Sequence, residues 1–202
     1  MTETGGRRRG GNRRDEILDA ALKLFAQKGM AQVTTRQIAQ AVGISQPSLY
    51  AHFRSADEIA SELCARAFAT LTDVLAQVAD EDAAPIDRLR RMARAYIEFG
   101  LAHPDMYRVA FMLEDAQGCI AEPAPADGEP LDPVLEAGLR CFGQLHRVVL
   151  EHTQSDDEQT LLLSQSTWAH VHGLVSLLIA RSEFPWAARE RLIDEHLRRL
   201  HF

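Results

Sequence analysis

The stretch Arg36-Gln-Ile-Ala-Gln-Ala-Val-Gly43-Ile-Ser-Gln-Pro-Ser-Leu-Tyr-Ala-His-Phe53 decides the fold. Ile38, Ala39 and Val42 fall on one face of a helix, Gly43 is the residue type that permits a left-handed stop, and Ile44 fills the corner that follows. Ser45 then precedes Gln46 and Pro47, a side-chain cap followed by a proline in the first turn, where its missing N–H costs nothing. Leu49 and Phe53, four residues apart, turn inward together from this second helix. Two short helices joined through such a turn read as a helix-turn-helix. Opposite the inward pair lie Pro47, Ser48 and Ala51, with Tyr50 and His52 on the flanks. That small, neutral set suits a helix placed in the major groove of DNA, and the capped end of the helix suits phosphate. A plain helical hairpin is the competing reading of the segment.

Working outward, Thr34 with Gln37 and Ser55 with Glu58 fit capping boxes, so the caps define helices of about 35–42, 46–52 and 56–79. Upstream, Ile17, Ala21, Leu24 and Phe25 have helical spacing, predicting a helix over 13–28 that Gly29 stops. Residues 1–12 form a Gly/Arg arm with nothing to bury and read as disordered. Downstream, the periodicity predicts helices over 85–102, from Pro104 to about 113, over 133–152 and 157–182, and a last one after Pro185. Residues 114–133, rich in Ala, Pro, Glu, Asp and Gly, read as a long loop. No run alternates apolar and polar residues convincingly, so no strand is expected. The fold class is therefore all-α: a disordered arm (1–12), a three-helix helix-turn-helix domain (13–58), and a helical effector-binding and dimerisation domain (59–202).

Charge supports this division. The 202 residues carry 22 Lys+Arg against 29 Asp+Glu, a net of −7. Residues 1–66 nevertheless hold 10 Lys+Arg against 7 Asp+Glu, and a basic front on an acidic body is compatible with a nucleic-acid module joined to one that does not touch nucleic acid. Within that front, residues 15–66 hold 5 Lys+Arg and 6 Asp+Glu. Arg7, Arg8, Arg9, Arg13 and Arg14 thus become the candidates for following phosphates or entering a minor groove. The three cysteines, Cys64, Cys119 and Cys141, are odd in number, which favours reduced thiols and an intracellular setting. With the longest apolar stretch, Gly173 to Ala180, far short of the roughly 20 residues of a membrane span and no signal peptide visible, the expectation is a cytoplasmic protein with no membrane partner.

The segment Ile17 to Leu63 resembles the tetracycline-repressor (TetR) family of bacterial transcriptional regulators. The pattern comprises a first helix ending in Phe25 and Gly29, then Thr34-x-Arg36-x-Ile38-Ala39, Gly43-Ile44-Ser45, Leu49-Tyr50-x-His52-Phe53 and Ser55. Residues 46–52 look very like the family's recognition helix. The resemblance implies phosphate contacts from Thr34, Tyr50 and His52 and an approach to bases by Arg36, Gln46, Pro47 and Ser48, with Ser45 as the cap of that helix. Two positions depart from the pattern. Ala56 stands where the family commonly has a phosphate-binding Lys, and Ala51 is smaller than the aromatic often found there.

Residues 67–202 resemble the family's ligand-binding and dimerisation domain more weakly. Tyr96-x-x-Phe99-x-x-x-His103-Pro104-x-x-Tyr107-Arg108 and Trp168-x-x-x-His172-Gly173 look like signatures of a Trp-His-Gly subgroup. Phe99 with His103, Tyr107 with Phe111 and Trp168 with His172 are each four apart, and three aromatic-plus-polar pairs could line an apolar pocket; ordinary core is the competing reading. Leu161, Trp168, Val171, Val175 and Leu178 make one apolar stripe, and Leu192, Ile193, His196, Leu197 and Leu200 another. A two-fold four-helix bundle of the last two helices would bury both and set two recognition helices about 34–36 Å apart.

Catalysis is not expected. His170 and His172 point to different faces, no His-Glu-x-x-His or Cys-x-x-Cys occurs, and Cys141 with His146 is poor geometry for a thiolate pair, so no metal, cofactor or catalytic residue is assigned. The expectation is a homodimeric repressor released from a palindromic operator by a small apolar or amphipathic ligand. The alternative is a helical ligand-binding or interaction protein that keeps a vestigial DNA module, with Ala56 as its support.

Overall fold

In the computed structural model of the chain, the described residues are 6–112, 131–155 and 158–200, with side chains described from residue 13. The expected loop over 114–133 falls almost wholly outside them. Among the described residues every regular element is helical: α1 (Gly6–Lys28), a single 3₁₀ turn (Met30–Gln32), α2 (Thr35–Val42), α3 (Gln46–Tyr50), α4 (Ala56–Ala79), α5 (Pro85–Ala102), α6 (Pro104–Phe111), α7 (Pro133–Thr153), α8 (Glu158–Ala180) and α9 (Arg189–Arg198). The backbone of α1 begins at Gly6 rather than near Arg13, so residues 6–12 extend the helix where an unstructured arm was expected. Once a helix is nucleated, each added residue contributes a backbone hydrogen bond whatever its side chain.

The chain divides into two compact units, one of Met1–Ala67 with Asp105–Glu136 and one of Phe68–Pro104 with Ala137–Phe202. The core of the first contains Ile17, Leu18, Phe25, Ile38, Leu49, Phe53 and Ile59, each at most 1% exposed. Ile17, Phe25, Ile38, Leu49 and Phe53 are inward positions that the periodicity marks; Leu18 and Ile59 join them, whereas Leu24 and Val42, also marked, are half-buried. Here the local chemistry follows the sequence closely. Thr34 caps α2 with a reciprocal box: its hydroxyl accepts from Gln37 N at 3.3 Å and its own N–H donates to Gln37 Oε1 at 2.8 Å. Gly43 takes φ 74°, and Ile44 N to Ala39 O (3.0 Å) with Gly43 N to Gln40 O (3.2 Å) completes a Schellman ending. At α4, Ser55 Oγ accepts from Glu58 N at 3.0 Å, but the Glu58 carboxylate reaches one residue further back, to Arg54 N at 2.6 Å.

In the second unit, α5 packs against α8 and α9. Arg88 is buried, and its guanidinium donates to Ala79 O at 2.6 Å, at the end of α4, and pairs with Glu151 of α7. α9 is tied to α5 by Arg94, which pairs with Asp194 and lies 3.6 Å from Glu190. His170 and His196 stack with ring centroids 3.8 Å apart across α8 and α9.

One expectation needs correction here. The α8 stripe does not form one outward face: Val171 and Val175 are buried within the unit, as is Ile193 of α9, whereas Leu161 and Trp168 are each 40% exposed. The outward arc of α8 instead carries Leu162, Ser166, Ala169, Gly173, Ser176 and Ala180, spaced four and three residues in alternation. α8 is apolar nearly all round, so periodicity alone could not say which arc turns inward. Cys141 is a buried free thiol. No helix among the described residues is long and apolar enough to cross a membrane.

Candidate nucleic-acid interface

α2 and α3 present the polar residues of the motif on one unit. Thr34, Arg36, Ser45, Pro47, Ser48 and Tyr50 are exposed, and Gln46 and His52 are half-buried. Leu49, directly behind them, is fully buried, so α3 is anchored by one face and offers the other. Ser45 caps α3 by accepting from Ser48 N at 3.2 Å, and its hydroxyl lies 2.9 Å from that of Ser48. α3 is shorter than the expected 46–52, but Ala51 N to Pro47 O and Phe53 N to Leu49 O keep the turn going far enough to bring Phe53 into the core.

The side chains on this face are linked. Gln46 Nε2 donates to Thr35 Oγ1 at 3.1 Å and to Tyr50 Oη at 3.2 Å, and the two hydroxyls are 3.2 Å apart. Hydrogen bonds from Thr35 and Gln46 hold the exposed Tyr50 phenol below the ordinary tyrosine range. An open cleft of about 380 Å³ beside them is lined by Arg36, Ala39, Gln40, Ile44 and Gln46. Thr35 belongs to this site and the sequence reading missed it. It neighbours the cap residue Thr34, and only the fold brings it opposite Gln46.

Arg14 is not a cation of a free arm. Its guanidinium donates to His52 O at 2.7 Å, pairs with Glu62 of α4, and lies 4.1 Å over the Phe53 ring. Arg66 continues the network, 2.9 Å from Glu62 and 3.0 Å from Asp15. Arg14 therefore clamps α1 to the end of the recognition segment. Arg13 pairs with Glu16 at 2.5 Å, and the side chains of Arg7, Arg8 and Arg9 lie outside the described residues.

The six residues expected to bind a ligand form three pairs, all in ring contact. Phe99 and His103 have centroids 5.2 Å apart and Trp168 and His172 6.1 Å apart in the second unit, while Tyr107 and Phe111, 4.8 Å apart, belong to the first. Phe99 and Tyr107 are buried, but His103 is exposed. Trp168 and His172 meet Tyr96 of α5. Trp168 Nε1 donates to Tyr96 Oη at 3.2 Å, and Tyr96 Oη lies 3.3 Å from His172 Nδ1. On the other side of the ring, His172 Nε2 lies 3.1 Å from Ser176 Oγ, so both imidazole nitrogens have a polar neighbour. Burial holds His172 below the ordinary histidine value. Phe142 of α7 lies 6.1 Å from Trp168 and 5.9 Å from His146, which is bonded to Ser164 at 2.9 Å. Tyr96 carries the junction. Its place in the motif with Phe99 was visible, but the helix facing it was not.

Comparison with known proteins agrees with this architecture. A profile described as bacterial regulatory proteins, tetR family, matches residues 17–63, and one described as tetracyclin repressor-like, C-terminal domain, matches residues 89–200. The HTH-type transcriptional repressor KstR2 of Mycobacterium tuberculosis is 32% identical over 112 residues, 55% of this chain and 55% of that protein, so the chain spans about half the length of that relative. The nucleoid occlusion factor SlmA of Edwardsiella ictaluri is 32% identical over 180 residues, 86% of this chain and 85% of that protein. The crystal structure of the transcriptional regulator FadR from Bacillus subtilis in complex with stearoyl-CoA shares the fold, with a TM-score of 0.72 and 15% identity over 92% of this chain and 96% of that one. With both profiles in place, the second over more than half its length, the chain belongs to the tetracycline-repressor family of bacterial regulatory proteins.

Proposed function

We propose that the chain is a DNA-binding transcriptional regulator, a homodimeric cytoplasmic repressor released from a palindromic operator by a small apolar or amphipathic ligand. The observation that carries this reading is the capped, core-anchored α3, which leaves Pro47, Ser48 and Tyr50 exposed and sets Gln46 on the cleft that Arg36 also lines. Arg36, Gln46, Pro47 and Ser48 approach bases; Thr34, Tyr50 and His52 reach phosphates; and Ser45 holds the helix. Residues 13–58 form the reading head and 59–202 the effector-binding and dimerisation part. The regulators among the relatives support a role in binding rather than in catalysis.

The outward arc of α8, with Ala169 and Gly173 at its centre, supports dimerisation through the last two helices. A Cβ added at Gly173 would meet nothing within the chain, so the small residue leaves room for a second backbone. In this reading the ligand lies against Trp168 and His172, whose hydrogen bonds with Tyr96 set polar groups beside the rings. It releases DNA only by binding the DNA-incompetent state more tightly.

Fluorescence anisotropy with duplexes from the chain's own upstream DNA tests the reading. Sequence-preferring binding that weakens steeply with salt is expected, lost in Tyr50→Ala with an unchanged circular dichroism spectrum. Absence of any preferred duplex would rule it out. Ala169→Arg should convert a dimer to a folded monomer by light scattering, and a persistent dimer would move the interface elsewhere.

A further inference from the structure

Gln46 opens α3, yet its amide nitrogen is already held. Nε2 lies 3.1 Å from Thr35 Oγ1 and 3.2 Å from Tyr50 Oη, and the two hydroxyls lie 3.2 Å from each other. One orientation of the amide satisfies all three sides of this triangle. With the nitrogen inward, its two N–H groups donate to the two hydroxyl oxygens, and a proton of either hydroxyl closes the third side. Turned over, Oε1 would take both hydroxyl protons and leave the Thr35–Tyr50 side without one. The first arrangement leaves the second hydroxyl proton free for an outside partner. Gln46 Oε1 then has no partner among the described residues, and Gln46 lines the open cleft together with Arg36 and Gln40.

We propose that Gln46 reads its base as an acceptor only: Oε1 takes a hydrogen bond from an exocyclic amine in the major groove, cytosine N4 or adenine N6, while its N–H groups stay on Thr35 and Tyr50. A glutamine free to rotate grips adenine through both N6 and N7. Here the donor half of that grip is held inside the protein, so the side chain presents the pattern of a carboxylate without its charge. This rests on the DNA-reading role proposed above and adds what kind of base edge is selected.

Enrichment of random duplexes on the full chain gives the preferred site, and failure to enrich any sequence refutes the DNA-reading role before Gln46 is touched. On the enriched site, the base pair whose preference relaxes in Gln46→Ala is the one this residue reads; no relaxed position would overturn the proposal. At that pair, deleting the amine (purine for adenine, or 2-pyrimidinone for cytosine) should weaken wild-type binding by about tenfold and leave Gln46→Ala unaffected. Replacing the purine of the same pair by its 7-deaza analogue should change wild-type binding by less than about twofold, because no N–H of Gln46 reaches N7. A loss from 7-deaza substitution that disappears in Gln46→Ala, or indifference to the amine, shows the amide donating and overturns the assignment.

Discussion

Replacing Arg14 by Met keeps most of the aliphatic stem and removes the guanidinium from three partners, which makes it the sharpest test of the clamp. The charged hydrogen bond to His52 O contributes about 1.5 kcal/mol by comparison with similar bonds. The cation over Phe53 adds about 0.5–1 kcal/mol at a partly exposed site. The pair with Glu62 is worth well under about 1 kcal/mol, since both side chains retain solvent access. Some of this is recovered when water reaches the His52 carbonyl, so the expected loss is about 2 kcal/mol. For a chain of this size that lowers Tm by roughly 4–8 °C. Urea unfolding of Arg14→Met, with Glu62→Gln and the double variant closing a cycle, measures it. DNA binding as a function of salt supplies the other half. A clamp leaves the slope of log K against log salt unchanged, whereas an arm cation lost from a phosphate lowers its magnitude by about 0.9. Wild-type stability with a reduced slope would refute the clamp.

Gly43→Ala should cost about 1 kcal/mol, all of it backbone strain at φ 74°, because the added methyl meets nothing nearby; urea midpoints check it, and a neutral result would mean the turn relaxes. Burial holds His172 and His196 below the ordinary histidine value. The unfolded chain therefore binds protons near pH 6.5 that the folded chain refuses. Stability should fall as pH drops from 7.5 to 5.5, and His172→Gln should flatten that slope; an equal slope in the variant would remove His172 from the account. Burial pushes the Cys141 thiol up to about 11, so at pH 8 it should react with a thiol reagent only as fast as the chain opens, and immediate reaction in native buffer would contradict its placement.

The parts of the fold that were legible in the sequence are those fixed by residues within a few positions of one another. Thr34 with Gln37, Ser45 with Ser48 and Gly43 with Ile44 act over one turn, so their chemistry is written consecutively. The inward face of the first three helices was equally readable, since Ile38, Leu49 and Phe53 sit among polar neighbours that define a direction. The reading failed where partners are remote. Arg14 lies in a run of arginines, and nothing near it announces His52 or Glu62, 38 and 48 residues later. Thr35 looked like an ordinary first-turn residue until α3 packed across it. On α8, apolar side chains surround the axis, and burial was decided by α5 rather than by any pattern within the helix itself.

Ser176 belongs to two arrangements at once. Its hydroxyl lies 3.1 Å from His172 Nε2 and steadies the ring, and its small side chain lies on the outward arc with Ala169, Gly173 and Ala180. Alanine would preserve the arc and release the imidazole; threonine would keep the hydroxyl and thicken the arc. Few replacements serve both, so drift at this position is restricted from two directions. A library selected for a new effector should accordingly return changes at 172 and 176 as linked pairs rather than singly, with 176 the slower of the two to move.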